Sequence, residues 1–360
     1  MNNPGEIPEV WFQGLVALIP KKERPEPLDH RPIALLSHIA KLWETSVKIM
    51  MDEAFDAEKL IAGYQGGFRY LRGIDTTSLT LEALGELCKA QGLPLIAVFL
   101  DIKKAFDSVP ATVMAACLMR LKLPARLVKV LMAWISGHSR RLLVPGNELG
   151  AWLELLVGVP QGSVLAPFLF SCVMDSLHAY LRGEGGVLGL PALSPPLPAL
   201  KVRTGDEWRD LMYADDSVLL AHYTKDAERA LAAISKWSGA SGLDFHPGKF
   251  ATVRMGAPDS TNSDKFAPKS STITQRKRLA GLKYEGSAIP VHSETKHLGL
   301  NVHSYKSSST LTVSMSKRIE SASASTSVLR FAFKPSPTAA VVRFTSALHS
   351  SVAEGCVYFC

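Results

Sequence analysis

Leu95-Ile96-Ala97-Val98-Phe99-Leu100-Asp101 is a run of six apolar residues closed by a carboxylate. A short run with no polar alternation reads as a strand buried on both faces, here delivering Asp101 at its C-terminal end. A second acidic feature lies further along, where Leu211-Met212-Tyr213 and Val218-Leu219-Leu220 flank Asp215-Asp216. That pattern predicts strand, tight turn, strand. Carboxylates set in so much apolar sequence are costly unless something positive neutralises them. Hard divalent cations take oxygen ligands, and Mg2+ is commonly held by one or two carboxylates plus substrate phosphates. Turns also favour Asp for purely local reasons. Spacing alone does not show that positions 101 and 215 meet, so both readings stand at this point.

Working outward, Leu15 to Ile19 is a short apolar run stopped by Pro20-Lys21-Lys22. Helical spacing extends from about Ile33 to Met51 and again over Thr76 to Gln91, with Leu79, Leu81, Leu84 and Leu87 as the second stripe. Asp107-Ser108 followed by Pro110 predicts a helix start, with helices over 110–122 and 124–136 and Asp107 as a cap. Arg140 to Val144 and Ala151 to Val157 predict a hairpin around Pro145-Gly146-Asn147. Ser163 to Leu181 reads as a long buried helix, and Asp226 starts another that ends near Gly239-Gly242. The Gly- and Pro-rich stretch 183–200 reads as an irregular insertion, and 256–275 as a loop. Mixed strands, hairpins and helices predict an α+β fold.

The 360 residues carry a net charge of +7. The excess is concentrated: from Lys249 onward there are fifteen Lys and Arg against six Asp and Glu. A basic C-terminal third on a near-neutral body suits a polyanion such as nucleic acid, or is a solvated tail. Cys88, Cys117 and Cys172 sit in apolar runs, as reduced core thiols do, and Cys356 and Cys360 have no nearby partner to complete a metal site. The absence of a disulfide framework fits an intracellular protein, without separating nucleus from cytoplasm. Trp11 to Ile19 is too short to span a bilayer, so no membrane association is expected.

Phe99-Leu100-Asp101-Ile102-Lys103-Lys104-Ala105-Phe106-Asp107-Ser108-Val109 resembles the first palm motif of reverse transcriptases. Gly158-Val159-Pro160-Gln161-Gly162-Ser163-Val164-Leu165-Ala166-Pro167 resembles their template- and nucleotide-contacting motif, and Tyr213-Ala214-Asp215-Asp216 their paired-aspartate box. Ile19-Pro20-Lys21-Lys22 with Asp29-His30-Arg31-Pro32-Ile33-Ala34-Leu35-Leu36, and Tyr64-Gln65-Gly66-Gly67-Phe68-Arg69, are similar to the fingers of the non-LTR (LINE-type) retrotransposon enzymes. Ser241-Gly242-Leu243-Asp244-Phe245 with Lys249 resembles the next palm motif, although His246 stands where relatives usually carry Asn. Lys296-His297-Leu298-Gly299 resembles the primer grip. The resemblance covers about residues 10–300.

It implies a right-hand polymerase with an antiparallel palm sheet: fingers with an N-terminal extension over 1–94, palm over 95–300 and a partial thumb over 301–360. Irregular insertions are expected near 183–210 and 256–290. It implies an RNA-directed DNA polymerase working on an RNA template, a DNA primer and dNTPs. Asp101, Asp215, Asp216 and the Ile102 carbonyl would hold two Mg2+ ions, with Mn2+ able to substitute. Lys21 and Arg31 would grip the triphosphate; otherwise each is a surface charge. Phe106 would exclude a ribose 2′-hydroxyl, or is core packing. Gln161, Gly162 and Tyr213 would line the nucleotide and template site, Lys249 would act as a general acid, and His297, Leu298 and Gly299 would hold the primer. No endonuclease or RNase H constellation is visible, so the chain reads as a fragment or decayed copy. An intron-maturase-like RNA-binding module and a catalytically silent remnant remain as alternatives. Oligomeric state has no signal in the sequence.

Overall fold

The computed structural model describes residues 8–20, 23, 30–57, 60–61, 65–69, 73–144, 148–154, 157–201, 207–257, 282–298 and 300–304. In chain order the first elements are strands β1 (Gln13–Pro20) and β2 (His30–Leu36), then helices α1 (His38–Ala57) and α2 (Ile74–Ala90). Strand β3 (Pro94–Leu100) leads into the short helix α3 (Ala105–Ser108), α4 (Ala111–Arg120) and α5 (Ala125–Ser136). The hairpin β4 (Ser139–Val144) and β5 (Glu148–Glu154) precedes α6 (Leu165–Leu181), and the short pair β6 (Leu200–Lys201) and β7 (Glu207–Trp208) follows it. Next come β8 (Asp210–Tyr213), β9 (Asp216–Ala221), α7 (Thr224–Ser241) and β10 (Ala251–Gly256). The described chain ends in short strands: β11 (Lys283–Tyr284), β12 (Ser287–Ala288), β13 (Val291–His292), β14 (Glu294–His297) and β15 (Leu300–His303).

The strand read from 95–100 is the middle of a five-stranded sheet, ordered β13-β10-β3-β9-β8. Its neighbours β10 and β9 both run antiparallel to it, as β8 does to β9. The sheet departs from antiparallel at one edge, where β13 pairs parallel with β10. The uninterrupted apolar run in β3 has a direct cause. Ile96, Val98 and Leu100 point into the larger core with α4 to α7, while Leu95, Ala97 and Phe99 point to α2 and Val302. With both faces covered, no position of the strand is left for a polar residue.

Helix α6 is buried at all but one of its 17 residues, which explains a sequence apolar on every side. His178 on α6 places Nδ1 2.8 Å from both carboxylate oxygens of Asp210, tying the helix to the start of β8. Helix α7 ends where expected: Gly242 takes the left-handed conformation (φ +70°) and returns its N–H to Ser238.

A second, four-stranded sheet has the order β2-β1-β4-β5. It corrects the helical reading of Ile33 to Leu36, which form a strand with Ala34 opposite Val16 and Leu36 opposite Gly14. Pairing with β1 outweighs the local periodicity, and the helix begins only beyond Ser37, whose carbonyl accepts the Lys41 N–H at 3.0 Å. The hairpin 139–154 joins this sheet too, through parallel pairing of β1 with β4. Asp107 is likewise not the helix cap expected: it lies inside α3, and Pro110 stands at the N-terminus of α4 with no side-chain cap.

The insertion at 183–200 is packed rather than loose. Val187, Leu197 and Leu200 are buried, and Arg229 of α7 donates to the Pro195 carbonyl at 2.7 Å. Cys88, Cys117 and Cys172 are buried free thiols. The loop read at 256–275 falls almost wholly outside the described residues, as do the tail beyond Ser304, Cys356 and Cys360. Among the described residues, no helix is long and apolar enough to cross a membrane.

Candidate active site

Register brings the acidic features together. Strand β9 pairs with β3 so that Leu100 faces Ser217, which sets Asp101 and Asp216, the next residue out on each strand, at the same end of the sheet. Tyr213 pairs with Asp216, leaving Ala214-Asp215 as a two-residue turn, and Ala214 takes the left-handed conformation (φ +57°) that such a turn requires. From the other side, the segment 244–246 runs along Asp101-Ile102-Lys103. The His246 N–H donates to the Asp101 carbonyl and the Lys103 N–H to the Asp244 carbonyl, both at 2.8 Å, with Ile102 bridged to Phe245. The turn that follows carries Lys249 back to the site, its Nζ 3.0 Å from Asp101 Oδ2. His246 therefore does not prevent Lys249 from reaching the carboxylates.

The electrostatics show an acidic cluster short of positive charge. At the end of the sheet, desolvation by the surrounding protein, then the charges of Asp215 and Asp101, push the Asp216 carboxyl up to about 6, although the residue keeps an exposed face. Asp215 is raised too, first by burial and then by Asp101. Lys249 opposes the shift at both but does not cancel it. Among the described residues, no three His, Cys, Asp or Glu side chains stand close enough to form a ready-made metal cage. The donor set nevertheless suits Mg2+, which keeps much of its water shell and needs only one or two protein carboxylates alongside phosphate oxygens. Two neighbouring carboxyls held above their ordinary range are groups whose charged form a nearby cation would favour.

Beside the carboxylates, the loop 158–163 is fixed on three sides. The Val159 N–H donates to the Phe106 carbonyl at 2.7 Å and the Gly158 N–H to the Val109 carbonyl at 3.0 Å. The Gln161 carbonyl accepts from the Ala34 N–H of β2. Two glycines make the approach feasible. At Gly158 (φ +89°) a Cβ would lie 2.7 Å from the Asp107 backbone, and at Gly162 (φ +127°) 2.1 Å from the Ala34 carbonyl oxygen. Gln161 Nε2 donates to Asp107 Oδ2 at 3.3 Å, so Asp107 orients the glutamine that the sequence singles out. Phe106 is half-buried and stacked on Phe170 with centroids 4.8 Å apart. Phe68 stands edge-on to Phe106 at 6.3 Å and tilted against Tyr213 at 6.5 Å.

Arg31 is exposed on β2, opposite Ile19 of β1, and Lys21 lies outside the described residues. The His297 ring is buried against Phe99, centroids 4.9 Å apart, and burial lowers its pKa to about 4. Leu298 adopts the left-handed conformation (φ +50°), and Gly299 is outside the described residues. Sequence reading gave no site role to Gln65, Glu44 or Asp107. The signal for Gln65 was present in the segment 64–69, but its partner is 149 residues away.

The sequence matches the family model described as Reverse transcriptase (RNA-dependent DNA polymerase) over residues 19–302. It is 28% identical over 252 residues to the retrovirus-related Pol polyprotein from type-1 retrotransposable element R2 of Nasonia vitripennis, covering 70% of this chain and 23% of that protein. It is 26% identical over 308 residues to the RNA-directed DNA polymerase from mobile element jockey of Drosophila melanogaster, 83% of this chain and 30% of that one. With the probable RNA-directed DNA polymerase from transposon BS of the same fly it shares 32% identity over 177 residues, 46% of this chain and 18% of that one. The chain thus spans less than a third of the length of these relatives. In fold it is similar to apo telomerase from Candida tropicalis truncated from its C-terminal domain, with a TM-score of 0.51, 11% identity, and coverage of 82% of this chain and 54% of that one.

Proposed function

The chain belongs to the reverse transcriptase (RNA-dependent DNA polymerase) family, related to the enzymes of non-LTR retrotransposons, and we propose that it is the polymerase core that copies RNA into DNA. The observation that carries this reading is the meeting of Asp101 with the Asp215-Asp216 turn at one sheet end, beside the loop that presents Gln161. Asp101, Asp215, Asp216 and the Ile102 carbonyl would hold two Mg2+ ions. Bound there, divalent ions supply activation of the primer 3′-hydroxyl and neutralisation of triphosphate charge.

The remaining groups position substrate. Phe106, backed by Phe170, occupies the wall against which the sugar of an incoming nucleotide would lie, and its bulk excludes a 2′-hydroxyl. Gln161, oriented by Asp107, and the exposed backbone at Gly162 face the base pair being formed, with Tyr213 at the near edge of the carboxylate turn. Lys249, its Nζ 3.0 Å from Asp101 Oδ2, would deliver a proton to the departing pyrophosphate. Arg31, together with Lys21, would bind the triphosphate, for which a planar guanidinium is suited.

In this reading the five-stranded sheet with α6 and α7 is the palm, and β1 and β2 with α1 belong to the fingers. The hairpin β4–β5 goes with the fingers sheet it pairs into, and the residues that follow β15 would form a partial thumb. The hairpin β14–β15 places the primer through its backbone turn at Leu298, since the His297 ring is turned inward. The basic C-terminal residues would track the template–primer backbone with salt-sensitive affinity. The test is extension of a DNA primer on an RNA template with dNTPs and Mg2+. Extension that EDTA abolishes is expected. Tight template–primer binding without extension would instead identify a catalytically silent remnant.

A further inference from the structure

The carboxylate turn is strained, and one side chain from far along the chain is built around it. Ala214 sits in the left-handed region at φ +57°, a conformation that disfavours any residue with a Cβ. Gln65, almost fully buried, accepts the Ala214 N–H at Oε1 (3.0 Å), and its Nε2 donates to the Ala214 carbonyl (3.5 Å). One amide thus engages both backbone groups of the strained residue. The same Oε1 also accepts the Gly67 N–H at 2.8 Å, which fixes the amide orientation.

The backbone around Gln65 is shaped to the same purpose. Gln65 forms a parallel bridge with Met212, and the Gly66 N–H donates to the Met212 carbonyl at 2.8 Å. A Cβ on Gly67 would stand 2.3 Å from the Ala214 nitrogen, and one on Gly66 2.3 Å from Thr77 Oγ1. Gly67 therefore lets the segment lie flat on the turn, and Gly66 lets it pack against Thr77 of α2.

We infer that Gln65 is a positioning residue for the metal-binding carboxylates, holding Ala214 left-handed so that Asp215 and Asp216 stay turned toward Asp101. This rests on the metal reading given above. Without the amide, Ala214 relaxes toward ordinary backbone geometry and the two carboxylates part from Asp101, while the core, which Gln65 does not fill, is retained.

The experiment is Mn2+ binding to the full chain, followed by electron paramagnetic resonance, with thermal unfolding recorded on each variant. Wild type is expected to bind Mn2+, and Asp215→Asn to lose it. Gln65→Met, similar in size but without the amide, weakens Mn2+ binding by about tenfold while still unfolding cooperatively. Adding Ala214→Gly to Gln65→Met recovers part of that loss, because glycine adopts the left-handed conformation unaided. Should Gln65→Met not fold, Gln65→Asn, one methylene too short to reach Ala214, is expected to show the same weakening. Wild-type Mn2+ affinity in a folded Gln65 variant, or failure of Ala214→Gly to restore any binding, overturns the inference alone. Mn2+ binding that Asp215→Asn leaves unchanged overturns the metal reading itself.

Discussion

Glu44 offers the sharpest test of how the nucleotide loop is held. Its side chain is 0% exposed on α1, yet it carries a carboxylate. Oε1 accepts the Trp134 indole N–H at 2.8 Å and a short bond from the Ser163 hydroxyl, while Oε2 accepts the Val164 N–H at 2.8 Å. Ser163 Oγ in turn accepts the N–H groups of Leu165 and Ala166 at 3.1 Å, so the pair satisfies the first donors of α6 and offsets its dipole. Glu44→Ala leaves the Trp134 and Val164 donors buried without acceptors. At about 1–3 kcal/mol for each stranded donor, plus about 1 kcal/mol for the lost bond from Ser163, the expected destabilisation is about 3–7 kcal/mol. Equilibrium urea unfolding measures it directly. Glu44→Gln keeps one acceptor oxygen but sets an amide donor against the Val164 N–H, and should cost about 1–3 kcal/mol. A loss below about 1 kcal/mol for Glu44→Ala would refute the claim that this network anchors the loop carrying Gln161.

Phe106→Val opens the wall at the sugar, and discrimination of dNTP over rNTP in primer extension should fall by about 10–200-fold; unchanged discrimination would mean that Phe106 only packs on Phe170. Glu82 on α2 gives a pH signature, because burial and then Glu86 raise its pKa from 4.5 to about 7 and Oε1 has no hydrogen-bond partner among the described residues. The folded chain then holds the proton more tightly than the unfolded one, so stability falls as pH rises through the window from 4.5 to about 7. Glu82→Gln should therefore stabilise on the order of 1–3 kcal/mol more at about pH 8.5 than at about pH 4, read by urea unfolding at both; an equal effect at the two would contradict the assignment.

Much of the frame was legible because it depends on short-range pattern. The apolar run before Asp101 marked the central strand, the Asp215-Asp216 hairpin marked β8 and β9, and Gly242 marked the end of α7. Motif order then implied that the two acidic features meet, which spacing alone did not. What stayed hidden depends on partners distant in sequence. Ile33 to Leu36 are a strand only because β1 pairs with them, and only Ser37-His38 separates their apolar run from that of α1. Asp107 looks like a cap before Pro110, and only Gln161, 54 residues on, reveals what its carboxylate binds. Gln65 lies in a segment whose resemblance assigned it no role, Glu44 in one that reads as an ordinary helix, and their partners lie 149 and 119 residues away.

The measurement that bears most directly on the central claim compares wild type with Asp215→Asn for Mg2+-dependent dNTP incorporation on an RNA template with a DNA primer, template–primer affinity being measured alongside. The account predicts incorporation by the wild type and a fall of at least about a hundredfold in the variant, with template–primer affinity unchanged. Equal incorporation by both would contradict the role given to the carboxylate turn, and no incorporation by a wild type that still binds template–primer would contradict the polymerase assignment for this chain.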